Sequence, residues 1–228
     1  MNKSWLAIFL LFISNYLAAQ TSQMPMLQEP PLGGAITIAS SSLEGNEGNT
    51  YFAEAEKNEK KGDYDEAVTL FGKAAFEYNS AKQFSRYGSA LMRLSHVHYL
   101  QSHYTEAEQV VLNVALKTYS KIGSKTGQME SYSQLGKIYL AANKLTQSMW
   151  FYTQQGILAK QIGNNNAFIE SVLGLASVKI KKKEYVMASR DINRAELLAK
   201  ANNTHQFNAK IKEVRSLIPV KTMAKKKA

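Results

Sequence analysis

The chain of 228 residues contains no cysteine. Disulfide bonds, zinc sites built from thiolates and cysteine nucleophiles are therefore excluded, and so is a lipid anchor on an N-terminal cysteine. Acidic residues are scarce, with 18 against 28 lysines and arginines, so the formal net charge is +10. That charge would suit an acidic partner without identifying one. Apolar residues make up 45% of the sequence, which is enough for a domain with a core.

The sequence also lacks a long apolar run near its N-terminus. A membrane-spanning helix needs about 20 apolar residues, whereas the run Trp5–Ile13 is interrupted at Ser14. Lys3 before this run and small residues after it are typical of a secretory signal peptide that is cleaved near Gln20. We therefore predict a signal peptide at residues 1–19 and an exported, periplasmic or secreted protein, with no transmembrane segment after cleavage. The alternative is a short uncleaved anchor.

Two further segments lack the periodicity of folded elements. Residues 20–49 are rich in proline, glycine, serine and asparagine, as in QEPPLGG and SSLEGNEGN, and we predict a disordered linker there. Residues 219–228 begin with the helix-stopping Pro219 and carry four lysines. We predict a solvated basic tail, with a weak electrostatic tether as the alternative.

Four short segments resemble one another at an almost constant spacing. KGDYDEA ends at Ala67, QSHYTEA at Ala107, ANKLTQS at Ser148 and KKKEYVMA at Ala188. A tyrosine or leucine precedes each of these small residues by three positions. A bulky residue follows each of them by four positions: Phe71, Val111, Tyr152 and Ile192. Self-similarity at a fixed period predicts an array of like units.

The residues around these segments have helical spacing. Apolar residues before the second segment recur at steps of three, which places them on one face of a helix: Leu91, Leu94, Val97 and Leu100. Asp63 and Glu66 are spaced as in a capping box at a helix start. Each unit is predicted to be a helix, a tight turn and a second helix, and stacked units bury their apolar faces against one another.

A final helix is predicted at residues 204–218. Its apolar residues share one face and would cover the last unit: Phe207, Ile211, Val214 and Ile218. Its charged residues lie on the other face, as expected for a helix that ends a repeat array.

The four units resemble the tetratricopeptide repeat (TPR) family. The first copy matches its signature at Ala55, Gly62, Tyr64, Ala67, Phe71 and Ala74. The second copy matches at Leu94, Tyr104, Ala107 and Val111. The third copy matches at Leu135, Gly136, Tyr139 and Tyr152, with Ser148 where alanine is usual. The fourth copy matches at Ala176, Tyr185, Ala188 and Ala195. The period is longer than the usual 34 residues, and other residues occupy the family's tryptophan position.

The resemblance covers residues 50–203 and implies an all-α fold. The expected architecture is a right-handed α-solenoid of four helix-turn-helix repeats, at about 50–83, 84–123, 124–163 and 164–203, followed by the capping helix at 204–218. In this family the first helices line a concave groove that holds peptides. The resemblance therefore implies a non-enzymatic interaction module or scaffold.

By alignment with the family, we expect the groove to be lined by residues of all four first helices: Phe52, Met92, His96, Tyr99, Ser133, Lys137, Leu140, Leu173 and Ser177. The aromatic and methionine positions suit an apolar anchor. The alternative is that some of these residues belong to the core. The family's clamp for a C-terminal carboxylate is not matched, because Phe52 and Glu56 occupy its positions.

The densest basic patch lies near the end of the array, in KIKKKEY. Its lysines are candidates for contact with an acidic partner or an anionic surface: Lys179, Lys181, Lys182 and Lys183. The alternative is a solvated helix end whose cations favour the helix C-terminal dipole.

The sequence shows no pattern that indicates catalysis. His96 and His98 are two residues apart, whereas metal-binding pairs on a helix are three or four apart. His96 and His103 are two turns apart, about 10 Å along a helix axis. GSKT at residues 123–126 resembles the end of a phosphate loop, but Thr118 occupies its first glycine position. We therefore predict no metal site, no cofactor and no enzymatic activity.

Two alternative functions are consistent with part of this pattern. A sensory or regulatory TPR protein, held at the membrane by an uncleaved N-terminal segment, would carry the same repeats. Nucleic-acid binding fits the net charge, but export argues against it, and the aromatic residues sit at core positions instead of among the lysines. The predicted partner is another protein or peptide, of acidic character if the basic patch takes part.

Overall fold

The computed structural model describes residues 33–219, including the side chains of residues 47–219. The predicted signal peptide at 1–19, residues 20–32 of the predicted linker and residues 220–228 of the predicted tail lie outside this range. The chain divides into two units, residues 1–38 and residues 39–228.

Nine helices follow one another in the described residues, and no strand occurs among them. They are α1 (Gly33–Lys61), α2 (Tyr64–Ser80), α3 (Phe84–Leu100), α4, α5 (Lys125–Ala141), α6 (Leu145–Gln161), α7 (Asn165–Lys181), α8 (Tyr185–Ala201) and α9 (Asn208–Ser216). Helix α4 consists of Tyr104–Gln109, a π-helical segment at Val110–Ala115, and Leu116–Lys121. This arrangement confirms the predicted all-α fold class.

Consecutive helices from α2 onward pack against each other, and α3, α5 and α7 also contact one another in turn. The second unit is therefore solenoid-like, with the first helix of one pair lying beside the first helix of the next. Small and bulky buried residues alternate at the helix contacts, as the repeat pattern predicts: Ala67, Phe71, Ala107, Val111, Ser148, Tyr152, Ala188 and Ile192. No helix among the described residues is long and apolar enough to cross a bilayer.

The same turn joins each pair of neighbouring helices from α1 to α8. One residue in each turn has a left-handed backbone, and these residues recur about every 20 positions: Gly62, Lys82, Ser102, Gly123, Asn143, Gly163 and Lys183. In the turn after α2, the Gln83 amide donates to the Tyr78 carbonyl at 2.8 Å and the Lys82 amide donates to the Asn79 carbonyl at 3.0 Å. This is the Schellman pattern, which satisfies the last carbonyls of a helix.

The π-helical segment of α4 accounts for the irregular repeat interval. Near the start of the segment, Val111 lies 40 positions after its counterpart Phe71, and both are fully buried. At the end of the segment, the buried Ala115 lies 41 positions after its counterpart Ala74. A π-bulge accommodates one additional residue in a helix. The extra residue is therefore absorbed between Val111 and Ala115 without changing the core contacts on either side.

The prediction of a disordered linker is wrong for residues 33–49, which belong to α1. The physical reason is a tertiary contact that composition does not reveal. The Tyr78 hydroxyl on α2 donates to Asn49 Oδ1 at 2.9 Å, and Gly48 packs against the Tyr78 ring. No proline follows Pro31 in this region, so a helix held at residues 48–61 can propagate toward the N-terminus.

Two finer predictions about helix ends are also wrong. Asp63 makes no side-chain bond to the first turn of α2, whereas Ser124 and Asn164 cap α5 and α7. The backbone ψ of Asp63 is 67°, less extended than the 95° of Ser124, and its side chain does not reach the first-turn amides.

The capping helix is shorter than predicted, because α9 begins only at Asn208. The left-handed Asn203 turns the chain after α8, and residues 204–207 form an irregular connection instead of a first helical turn. The predicted apolar face is nevertheless present: Ile211, Val214 and Ile218 are buried in the cluster formed by α7 and α8.

Candidate functional site

Two open cavities lie side by side on the surface of α3, α5 and α7. The larger has a volume of about 670 Å³ and is lined also by α6 and the start of α9, through residues that include Tyr99, Leu140, Tyr152, Leu173, Ser177 and Phe207. The smaller has a volume of about 230 Å³ and is lined by Met92, Met129, Glu130, Ser133, Gln134, Gln155 and Ala167. Lys137 and Glu170 line both cavities.

Lys137 and Glu170 connect α5 to α7 where the two cavities meet. The Lys137 Nζ lies 2.8 Å from Glu170 Oε1. The larger cavity also carries Lys181 and Lys210, so we call it the basic cavity. The smaller carries Glu130 in addition to the pair, so we call it the acidic cavity. The groove formed by the two cavities therefore changes the sign of its charge along its length.

Tyr152 forms the apolar base of the basic cavity. A β-carbon on Gly136 of α5 would lie 2.8 Å from the Tyr152 ring, and one on Gly174 of α7 would lie 2.4 Å from it. The glycines thus let a buried ring on α6 lie between two first helices. Burial raises the pKa of the Tyr152 hydroxyl, and the nearby Glu170 and Tyr99 raise it further. The hydroxyl is therefore neutral at physiological pH.

Most of the sequence-predicted groove residues meet in these cavities. Five line the basic cavity: Tyr99, Lys137, Leu140, Leu173 and Ser177. Three line the acidic cavity: Met92, Ser133 and Lys137. Leu173 is at the same time part of the hydrophobic core, which was the alternative reading.

Phe52 and His96 line neither cavity. The Phe52 ring packs edge-on against Phe71 with a centroid distance of 5.3 Å, so it belongs to the contact between α1 and α2. His96 Nε2 lies 3.7 Å from Glu59 Oε1, and its ring stacks on Tyr99 at 6.2 Å. Burial lowers the pKa of His96, and Glu59 opposes this change. His96 therefore lies beside the groove and stacks on Tyr99, which lines the basic cavity.

The other histidines of this region do not form a ligand cluster. The rings of His98 and His103 are 6.3 Å apart, and burial lowers the pKa of His98. In residues 33–219, no group of three or more histidine, cysteine, aspartate or glutamate side chains is arranged to hold a metal ion.

The lysines of the predicted basic patch have different environments. Lys179 pairs with Asp191, and Lys182 pairs with Glu184. Lys181 donates to the Leu140 carbonyl at 2.8 Å and lines the basic cavity. Lys183 is the left-handed turn residue after α7. Only Lys181 therefore joins the groove, where it also satisfies a carbonyl near the end of α5.

Several residues of the groove were not predicted from the sequence, among them Glu130, Gln134, Gln155, Glu170 and Lys210. Glu130 and Glu170 lie three positions before Ser133 and Leu173, one helical turn toward the N-terminus on the same face. Extending the predicted groove by one turn would have found both. Gln155 occupies the position that is alanine in the other second helices, and this departure was a second available signal.

No family model matches the chain, and no curated protein sequence matches it. Among solved structures, the chain is similar to the crystal structure of BtubC (BKLC) from P. vanneervenii, with a TM-score of 0.62 and 14% sequence identity. The match covers 70% of this chain and 65% of BtubC. The chain thus spans less than two thirds of that protein, and at this identity the likeness is one of fold.

Proposed function

We propose that this chain is a non-enzymatic TPR-like protein that binds a peptide or protein segment in the groove formed by the basic and acidic cavities. The observation that carries the proposal is the basic cavity itself. It combines a partly buried Leu140, the buried Leu173 and the ring of Tyr152 with lysines at its edge. Apolar pockets with a few convergent polar groups are the usual sites of ligand binding.

The size and position of the groove support a peptide as the occupant. Its basic cavity lies within the range of about 300–1,000 Å³ that is typical of ligand pockets. Its walls are helices that run side by side, which is the setting in which grooves receive an extended or helical segment. We propose further, on the signal-like sequence of residues 1–19, that the protein acts outside the cytoplasm.

The experiment is selection of peptides from a random library displayed on phage, with the protein immobilised. We expect a consensus among the recovered peptides, and a loss of affinity of about tenfold or more in the Leu140→Asp variant. Leu197→Asp is the matched control, since Leu197 is 67% exposed on α8 and lies outside both cavities. Circular dichroism checks that both variants fold. Recovery of no consensus, or equal binding by Leu140→Asp and the unchanged protein, would contradict the proposal.

A further inference from the structure

Three buried polar atoms beside the acidic cavity have no hydrogen-bond partner among the described residues. They are Ser133 Oγ, Gln134 Nε2 and Gln155 Oε1. The three residues are only 7%, 8% and 1% exposed, and all three line the cavity. A buried polar group without a partner is destabilising and therefore rare. Three such groups around one cavity indicate that they bind something there.

Two of these residues break the repeat pattern. Ser133 stands where the other first helices carry Phe52, Met92 and Leu173. Gln155 stands where the other second helices carry alanine, at Ala74, Ala115 and Ala195, all of them buried. The other repeats carry apolar side chains at both positions. The third repeat therefore has a polar residue at two positions that are otherwise apolar, and both face the acidic cavity.

The charge of the cavity favours a cation. The Glu170 carboxylate contacts two groups. Its Oε1 pairs with the Lys137 Nζ, and its Oε2 accepts a hydrogen bond from the Gln155 side-chain amide at 3.1 Å. Glu130 has no ion-pair partner in residues 47–219. Partial desolvation raises the pKa of Glu130, and the negative charge of Glu170 raises it further. A cation between the two carboxylates would relieve this repulsion.

The size of the cavity favours a single side chain. Its volume of about 230 Å³ is below the range of about 300–1,000 Å³ typical of small-molecule sites. Met92 and Met129 line it and offer flexible apolar surface, against which the aliphatic stem of a long basic side chain can pack.

We propose that the acidic cavity binds an arginine or lysine side chain of the partner peptide. Its charged group lies between Glu130 and Glu170 and donates to Gln155 Oε1, while Gln134 Nε2 donates to a backbone carbonyl of the peptide. This inference rests on the proposed function and deepens it. Because the basic cavity adjoins on the other side of the Lys137–Glu170 pair, a basic residue in this cavity fixes the direction in which the peptide lies.

The test is a titration of the protein with acetyl-arginine amide, monitored by NMR of methyl-labelled methionine. We expect the Met92 and Met129 methyl signals to shift. Acetyl-citrulline amide, which has nearly the same shape and no charge, should leave them unchanged. The Glu130→Gln variant should bind the arginine probe about threefold more weakly or worse. Glu66→Gln, at an exposed carboxylate on α2, is the control and should bind normally.

The absence of a shift at Met92 and Met129, or equal shifts with acetyl-citrulline amide, would overturn the inference and leave water as the occupant. A second variant separates binding from folding: Gln155→Met should weaken binding without lowering the unfolding temperature. Lower thermal stability with unchanged binding would instead assign Gln155 a structural role and overturn its part in the site. If library peptides bind in a Leu140-dependent way and the arginine probe does not, this inference alone fails. If no peptide binds, the proposed function fails.

Discussion

Gly174 on α7 lies directly against the ring of Tyr152 on α6. A β-carbon at this glycine would stand 2.4 Å from Cε1 of the ring. Tyr152 is buried and wedged against Gly136 on its other side, so it cannot move away. The closeness of α6 to α7, and with it the base of the basic cavity, therefore depends on the absence of a side chain at Gly174.

We predict that Gly174→Ala lowers the free energy of unfolding by about 1–3 kcal/mol, because the added methyl group overpacks the contact. Urea denaturation measures the change. Gly72→Ala in α2 is the control, since nothing lies within 4 Å of a β-carbon there. This control should gain about 0.5–1 kcal/mol from the higher helix propensity of alanine. Similar changes in the two variants would show that the Tyr152 contact is not tight.

Deletion of Asn113 tests the interpretation of the π-helical segment. Asn113 is exposed and lies within that segment, so its removal should convert α4 to an unbroken α-helix of 17 residues and change stability by less than about 1 kcal/mol. Deletion of Lys73, the equivalent exposed residue of α2, should rotate Ala74 and Tyr78 off the core face and cost more than about 4 kcal/mol. If urea denaturation showed equal losses of stability for the two deletions, the interpretation that α4 contains one inserted residue would be contradicted.

The left-handed backbone of two turn residues predicts that glycine substitutions there stabilise the protein. Lys82 and Lys183 have φ values of 56° and 61°, in the left-handed region that side chains disfavour. Lys82→Gly and Lys183→Gly should each raise the free energy of unfolding by about 0.5–1 kcal/mol, after allowance for the greater freedom of glycine in the unfolded chain. Gly163→Ala, with φ of 71°, should lower it by about 1–2 kcal/mol. A loss of stability in the two glycine variants, seen by thermal denaturation, would refute this account.

His98 on α3 should make the stability of the protein depend on pH. Burial lowers the pKa of His98 in the folded protein, so the folded state binds fewer protons than the unfolded state. The free energy of unfolding should therefore fall as the pH drops below about 6.5, the ordinary value. His98→Gln should reduce the difference in stability between pH 7.5 and pH 5.5. His205→Gln, at an exposed histidine, is the control, and an equal reduction there would contradict the role of His98.

The repeat pattern was sufficient to predict the helices and most of the core. Helix pairing follows from apolar spacing and from small residues at fixed intervals, both of which are local properties of the sequence. The prediction failed for α1 because its extension depends on the bond between Asn49 and Tyr78, which are 29 residues apart. The interval of 41 residues revealed an insertion, but only the buried positions on either side locate it between Val111 and Ala115.

The groove was predictable in part. Alignment with the first helices of the TPR family predicted Met92, Tyr99, Lys137 and Leu140 as groove residues. The structure places all four at the two cavities. The acidic cavity was not predicted as a unit, because Gln155 comes from a second helix and reaches the groove between α5 and α7. Its polar side chain in an alanine position was visible in the sequence. Only the packing shows which cavity it faces.

We have proposed that a partner lies along the groove of α3, α5 and α7. The most direct measurement is photo-crosslinking to a library-selected peptide, with the variants Leu140→p-benzoylphenylalanine and Leu197→p-benzoylphenylalanine. Leu140 lines the basic cavity, and Leu197 is exposed on α8. We expect a strong crosslink from position 140 and almost none from position 197, with excess free peptide abolishing the former. Equal crosslinking from the two positions, or crosslinking from 197 alone, would contradict the claim.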